Sequence, residues 1–386
     1  MRPRRILFHH RIRADDGQAV HVRELIGALR EQGHEVLECA LIPKANTVLK
    51  TGGSRWQRLR LPRWATEVLE MGYSRRGLQM LLKVGRKFRP DFIYERHALH
   101  CRAGALAARH LRVPLLLEVN APMCEEMARL GLLRFPRLAR RSEQEVLRLA
   151  DRVLPVSDVL AERLCGLGAA VARLRVIRNA ADPRRYNGSA QERGRELRQR
   201  LGLEATDLVV GFVGYMRDWH RLDLALQAMA EPDLGHMHLV LAGDGPAAPD
   251  LAARASRQGL AERVHQLGVV PAAQLPAVCC AFDLALVPAI NEYASPLKVF
   301  DGLAAGVATV APDQRNLREI VEDDKTAVLF PPGDPGMLSK QLSSLARDPA
   351  RRRRIGAAGR QLLLDRDWTW AGNARRVIEA FVELSS

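Results

Sequence analysis

At 386 residues the chain is long enough for two domains and a large buried core, and 47% hydrophobic residues exclude a small disulfide scaffold or a disordered polybasic chain. Its 59 Lys and Arg against 44 Asp and Glu give a formal net charge of +15, and the excess sits in one half. Residues 1–200 carry 40 basic and 21 acidic side chains, whereas residues 201–386 carry 19 and 23. A cationic first half points to a polyanionic partner, either nucleic acid or an anionic membrane surface. Only seven of the cations are lysines, so composition bias accounts for the choice of arginine but not for where the excess stops.

The first strand is expected over residues 5–9, followed by a helix over 20–32 with Val22, Leu25, Ile26 and Leu29 on one face and Gly33 as a left-handed stop. A strand over 34–41 follows, then a cationic aromatic segment at 55–64. Further strands are expected at 91–94, 115–119 and 152–156. Strand and helix in alternation imply a parallel sheet covered on both faces. The pattern pauses near 176–179 and restarts at Leu208, with strands over 208–213, 238–242, 264–267, 284–287, 308–311 and 327–330, and a last amphipathic helix over 368–384. Two doubly wound α/β domains result, and ligands of such folds bind at the carboxyl ends of strands.

The six cysteines form no C-x-x-C pair, so reduced thiols are expected and no metal site. The apolar run Ile6-Leu7-Phe8 is too short for a signal peptide, and residues 269–290 are broken by Pro271, Pro276, Asp283 and Pro288. The expectation is a cytoplasmic chain that meets a membrane, if at all, peripherally on its inner face.

Three stretches carry chemistry. Gly17, just ahead of the first helix, lets backbone amides approach an anion, although a glycine needed only for the turn is the plainer reading. A strand ending at Gly214 places Arg217, His220 and Arg221 at its carboxyl edge, two fixed cations and a titratable imidazole suited to a diphosphate leaving group. Residues 291–306 are the most informative. Ser295 suits an N-cap and Pro296 the first helical position, so the amides near Leu297 and the Lys298 side chain fall in a first turn, with Asp301 on much the same face. An anion site beside a carboxylate fits a nucleotide diphosphate and its ribose hydroxyls. An ordinary capped helix with a surface Lys and Asp is the alternative.

The run from Ser295 to Gly306, with Leu241-Ala242-Gly243-Asp244-Gly245-Pro246 before it, resembles the retaining glycosyltransferases of family 4, which have the GT-B fold. The likeness extends through Ile93-Tyr94-Glu95-Arg96, Glu118-Val119-Asn120-Ala121-Pro122, Ile177-Arg178-Asn179-Ala180-Ala181-Asp182 and Trp368-Thr369-Trp370, nearly the whole chain. It implies two facing Rossmann-like domains with a C-terminal helix after the last strand. Residues 1–185 would bind the acceptor, 186–367 the donor, and 368–386 would pack back on the first domain. It also implies metal-independent, hexosyltransferase-type transfer with retention, from a nucleotide-diphosphate sugar that is substrate rather than cofactor. The acceptor would be a glycan or lipid-linked precursor, as in polysaccharide biosynthesis.

By position, the resemblance assigns the diphosphate to Gly17, Gly214, Arg217, Arg221, Lys298 and the amides around Ser295, Pro296 and Leu297. Arg217, His220, Lys298 and Asn120 fall nearest the reacting centre. Glu95, Arg96, Glu118 and Asn120 fall on the acceptor side, where a structural ion pair is the competing reading. The sequence also departs from the family. Two glutamates usually stand eight positions apart; Asp301 takes the second place, while Tyr293 takes the first and Glu292 is one residue off. His220 replaces a usual Lys, Tyr215 a frequent Arg, and Asn120 a frequent His. The segment at 55–64 with Arg75, Arg76, Arg86, Lys87 and Arg89 is expected to face anionic lipid. A sugar-nucleotide epimerase or a non-catalytic nucleotide-sugar binder on the same fold stays open; a nucleic-acid binder lacks any recognition motif.

Overall fold

Short apolar strands alternate with helices, and in the computed structural model, which describes residues 2–12, 17–40 and 63–384, they assemble into two parallel sheets. The chain divides into two compact units, Met1–Arg178 with Ala374–Ser386, and Asn179–Asn373.

In the first unit the order is β1 (Arg5–His9), α1 (Gly17–Glu31), β2 (Glu35–Cys39), α2 (Arg63–Phe88), β3 (Phe92–Arg96), α3 (Ala103–Leu111), β4 (Leu115–Val119), α4 (Met123–Arg129), α5 (Pro136–Leu149), β5 (Arg152–Pro155) and α6 (Asp158–Gly166). The sheet runs β2-β1-β3-β4-β5. Gly33 ends α1 at φ +84°, and the His34 N–H returns to the Leu29 carbonyl at 3.1 Å. Every residue of β3 and β4 is buried. Their charged members Glu95, Arg96 and Glu118 therefore lie at the carboxyl edge within the fold, where each needs a partner. Residues 13–16 lie outside the described residues, as does the 55–64 segment except for the helix start at its end.

The second unit holds α7 (Gly188–Arg200), β6 (Leu208–Val213), α8 (Asp223–Met229), β7 (Met237–Ala242), α9 (Ala248–Arg257), β8 (Val264–Gly268), α10 (Leu275–Cys280), β9 (Leu284–Leu286), α11 (Leu297–Ala305), β10 (Ala308–Pro312), α12 (Arg315–Arg318), β11 (Val328–Phe330), α13 (Pro335–Arg347) and α14 (Pro349–Asp365). Its sheet runs β11-β10-β9-β6-β7-β8. Alternate residues of β6 enter opposite cores, Leu208, Val210 and Phe212 on one face and Val209 on the other. The strand order reverses between β6 and β9, which is where a doubly wound sheet opens a ligand crevice at its carboxyl edge.

The unit boundary falls at Arg178 rather than at 185. Asn179 donates its backbone N–H to Ser295 Oγ at 3.0 Å, and the Tyr186 hydroxyl donates to Asp301 Oδ1 at 2.6 Å, so the segment 179–186 is bonded into the second unit. The last helix, α15 (Trp370–Val382), begins in the second unit, and its residues from Ala374 belong to the first. There Phe381 stacks on Phe92 with ring centroids 4.6 Å apart and lies under the Arg4 guanidinium, while Glu383 pairs with Arg175 at 2.8 Å.

Removing a buried aromatic leaves a cavity, whereas a half-exposed ion pair contributes little. Phe381→Ala is expected to destabilise the first unit by about 3 kcal/mol, and Glu383→Gln by less than about 1 kcal/mol. Equal shifts in thermal midpoint would show that the aromatic stack does not hold this helix.

Candidate functional site

The carboxyl edge of the second sheet is built by two glycine loops. After β6 the Gly214 N–H bonds to the Ala242 carbonyl at 2.9 Å and the Met216 N–H to the Asp244 carbonyl at 2.7 Å. Gly243 has φ +137°, and a Cβ there would lie 2.1 Å from the Gly214 carbonyl oxygen, so only glycine lets the loops touch. A Cβ on Gly214 would in turn reach 3.5 Å from the Lys298 ammonium. This places Lys298 directly beneath the turn that follows β6.

Lys298 sits in the first turn of α11 with its Nζ over the Phe212 ring at 4.0 Å. Burial lowers its pKa from 10.5 to about 7, against the opposing attraction of Asp301. His220 is buried, edge-on to Phe212, and its Nδ1 accepts the Arg217 N–H at 3.2 Å, which puts the ring proton on Nε2. Burial, with Lys298 and Arg217 nearby, lowers its pKa to about 3. The expected titratable imidazole is thus a neutral hydrogen-bonding group at ordinary pH. Arg217 is exposed and lies over the Tyr215 and Trp219 rings at 4.9 and 4.7 Å. Arg221 does not join this group. At φ +51° it turns to Asp223 and binds it through two nitrogens, at 2.9 and 3.0 Å.

The loop before α11 differs from expectation at its cap. Pro296, extended at ψ 122°, holds the cap position, and buried Ser295 instead accepts from Asn179 while its carbonyl accepts from the Asn179 side-chain amide. Leu297 is the first helical residue. Asn316, fully buried on α12, donates to the carbonyls of Asn291 at 3.1 Å and Ala294 at 2.7 Å and fixes the same loop. Tyr293 is buried and its hydroxyl meets the Asn291 side chain at 3.1 Å, whereas Glu292 is exposed. Asp301 is held by Tyr186. Burial and the nearby Asp301 carboxylate push the Tyr186 hydroxyl well above its usual pKa, so it remains a donor. Neither Tyr186 nor Asn316 has any signal in spacing that marks it as part of this site.

In the first unit the carboxylates divide between two networks. Glu118 accepts from His21 at 3.0 Å and the Tyr94 hydroxyl at 2.6 Å on one oxygen, and from Arg96 and Asn120 on the other. Burial works to raise its pKa, but His21, Arg96 and these hydrogen bonds hold it well below the usual carboxylate range. Glu95 turns away from Arg96, bonding His9 Nδ1 at 2.7 Å, the Gly104 N–H at 3.2 Å and Cys101 at 3.5 Å. His9, Glu95 and Cys101 bring three potential metal-ligand atoms within 4.8 Å. Burial and Glu95 push the Cys101 thiol well up, so it donates to Glu95 as a thiol rather than offering a thiolate. Gly17 is the first residue of α1.

Residues 16–185 match Glycosyltransferase Family 4 and residues 207–348 match Glycosyl transferases group 1. Over 273 residues the chain is 30% identical to the 2-deoxystreptamine glucosyltransferase of Streptomyces kanamyceticus, covering 68% of this chain and 69% of that protein. It is 31% identical to a D-inositol 3-phosphate glycosyltransferase of Mycobacterium sp. (strain JLS), over 68% of this chain and 61% of that one. The fold is similar to that of Anabaena Alr3699/HepE, solved with UDP and with UDP-glucose, at a TM-score of 0.72 and 18% identity over 98% of this chain and 100% of that chain. The chain belongs to glycosyltransferase family 4 and is a glycosyltransferase of the GT-B fold.

Lys298 is charged in both folded and unfolded chains below pH 7, so its burial cost is then fully felt. As pH rises from about 7 toward 10.5 only the unfolded chain keeps the proton, and stability rises. Lys298→Met should be more stable than the parent by roughly 3 kcal/mol near pH 6, with the difference fading toward pH 10. Urea titrations showing a pH-independent difference would contradict the buried ammonium.

Proposed function

We propose that this protein transfers a sugar, with retention of anomeric configuration, from a nucleotide-diphosphate donor to a hydroxyl of a lipid-linked or cell-surface glycan precursor. The observation that carries the reading is one cation and one carboxylate held on the same helix: Lys298 beneath the glycine turn and Asp301 against Tyr186. They suit a diphosphate and a ribose respectively. The glucosyl- and glycosyltransferase relatives and the UDP-glucose held by HepE support it.

In this reading the bond from the anomeric carbon to the diphosphate oxygen breaks, and its electron pair stays on the leaving phosphate. The acceptor oxygen bonds to the same face of the sugar and its proton passes to the departing phosphate oxygen. Arg217, Lys298 and the N-terminus of α11 stabilise the charge that develops, a task otherwise given to a divalent metal. His220, neutral with its proton on Nε2, donates a hydrogen bond rather than a charge. Asn120 and Arg96, anchored on Glu118, are the acceptor-side groups. The cationic first half suits a chain that works at an anionic membrane surface from the cytoplasmic side, and no described helix is long and apolar enough to cross one.

A bound diphosphate favours the charged lysine, so UDP binding should take up a proton. Its affinity should fall by up to about tenfold per pH unit above 7. Calorimetry in buffers of different ionisation enthalpy checks both, and Lys298→Met should flatten the pH dependence. Asp301→Ala is expected to weaken UDP at least about tenfold; unchanged affinity and turnover would remove the ribose assignment.

A further inference from the structure

We propose that the segment 129–141, with the first turns of α2, forms a docking surface for an anionic phospholipid bilayer. Of the large apolar side chains that are exposed among the described residues, Val68, Leu69, Leu130, Leu132 and Leu138 come from these two stretches; Leu69 is 62% and Leu138 52% exposed. They are neighbours because Glu67 joins them. Its buried carboxylate accepts the Arg134 N–H at 2.6 Å and the Phe135 N–H at 3.1 Å, and it also bonds His100 at 3.1 Å. That places a fixed hinge of backbone behind the exposed leucines. The surface is therefore held in shape without a partner.

Within residues 129–141 the charge is of one sign, while the α2 stretch adds the buried Glu67 and the half-buried Glu70. Residues 129–141 contain five arginines and no Asp or Glu. Arg134, Arg137, Arg140 and Arg141 are exposed, and no ion pair joins any of them to a described residue. Elsewhere exposed arginines are commonly neutralised locally, as Arg184 is by Asp182, Arg254 by Asp250 and Arg318 by Asp313. Aliphatic tips beside guanidinium groups that have no ionic partner among the described residues match the interface of an anionic bilayer, where leucine enters the acyl boundary and arginine stays at the phosphates. The exposed apolar groups here are aliphatic, so they offer no stacking platform for nucleic-acid bases.

This surface lies in the first unit, and its α2 part directly follows in sequence the 55–64 segment expected from composition. The inference deepens the proposed function by naming how a lipid-carried acceptor is met, and in that respect it rests on that reading.

The test is co-sedimentation of the full chain with phosphatidylcholine vesicles, alone or containing about 30 mol% phosphatidylglycerol. Binding only to the anionic vesicles is expected. Replacing Arg134, Arg137, Arg140 and Arg141 with Gln should lower partition by about fivefold per arginine. Leu130→Ser with Leu132→Ser and Leu138→Ser should leave binding that is released at about 0.5 M NaCl, under which the parent stays bound. Arg184→Gln with Arg254→Gln should change nothing. Equal binding to neutral vesicles, no binding to either, or full binding by the four-arginine variant overturns the proposal, as does salt-released binding by the parent, which would mark an acidic soluble partner instead. A UDP thermal-shift assay on each variant confirms folding and separates the two readings, because vesicle binding with no UDP response would defeat the donor assignment alone.

Discussion

The ammonium of Lys298 is the group on which the second unit's carboxyl edge depends. It lies over Phe212, below Gly214, and in the first turn of α11, and each neighbour is small, apolar or a backbone dipole. A charge in such a place costs free energy that Asp301 only partly offsets, and that cost is what poises the lysine near neutrality. The same burial, with two cations nearby, holds His220 neutral. The ammonium is thus only partly compensated within the protein, which leaves it available to an anion.

The support around that lysine is largely backbone. Gly243 allows two loops to join at a distance no side chain there would permit, and Asn179 and Asn316 tie down residues 291–295 through main-chain carbonyls. Pre-set backbone of this kind costs no reorganisation when a ligand arrives. In the first unit the opposite strategy operates. Glu118 has both oxygens engaged, by His21 and Tyr94 on one and by Arg96 and Asn120 on the other, and Glu95 has Oε1 engaged by His9, Gly104 and Cys101, so these carboxylates are held largely from within the fold. Arg96 and Asn120 take their orientation from Glu118.

Much of this was legible in one dimension. Runs such as Leu115-Leu116-Leu117 and Val209-Val210 have the unbroken apolar character of strands buried on both faces, so the two parallel sheets followed, with boundaries off by a residue or two. The strand ending at Gly214 and the helix carrying Lys298 and Asp301 could be found because both elements are local and their spacing puts chemistry at a strand end or in a helix's first turn. Ser295 as a cap was a local inference that failed, because Asn179, 116 residues away, makes a better use of its hydroxyl. Arg221 is turned to a nearby Asp223, a pairing that a family position does not reveal.

By itself the sequence determined the alternation of strand and helix, the two-part organisation, the family and the position of the Lys298 and Asp301 pair. The family followed from the resemblance of its motifs, and the rest from periodicity and from contacts within a few residues. Only the tertiary structure decided that His220 is neutral, that Tyr186 holds Asp301, that Glu95 and Glu118 belong to separate networks, and that Glu67 joins the stretch carrying Val68 and Leu69 to the arginine-rich segment 129–141. Burial, and the partners it imposes on a charge, depend on residues far apart in the chain, and no local pattern encodes them.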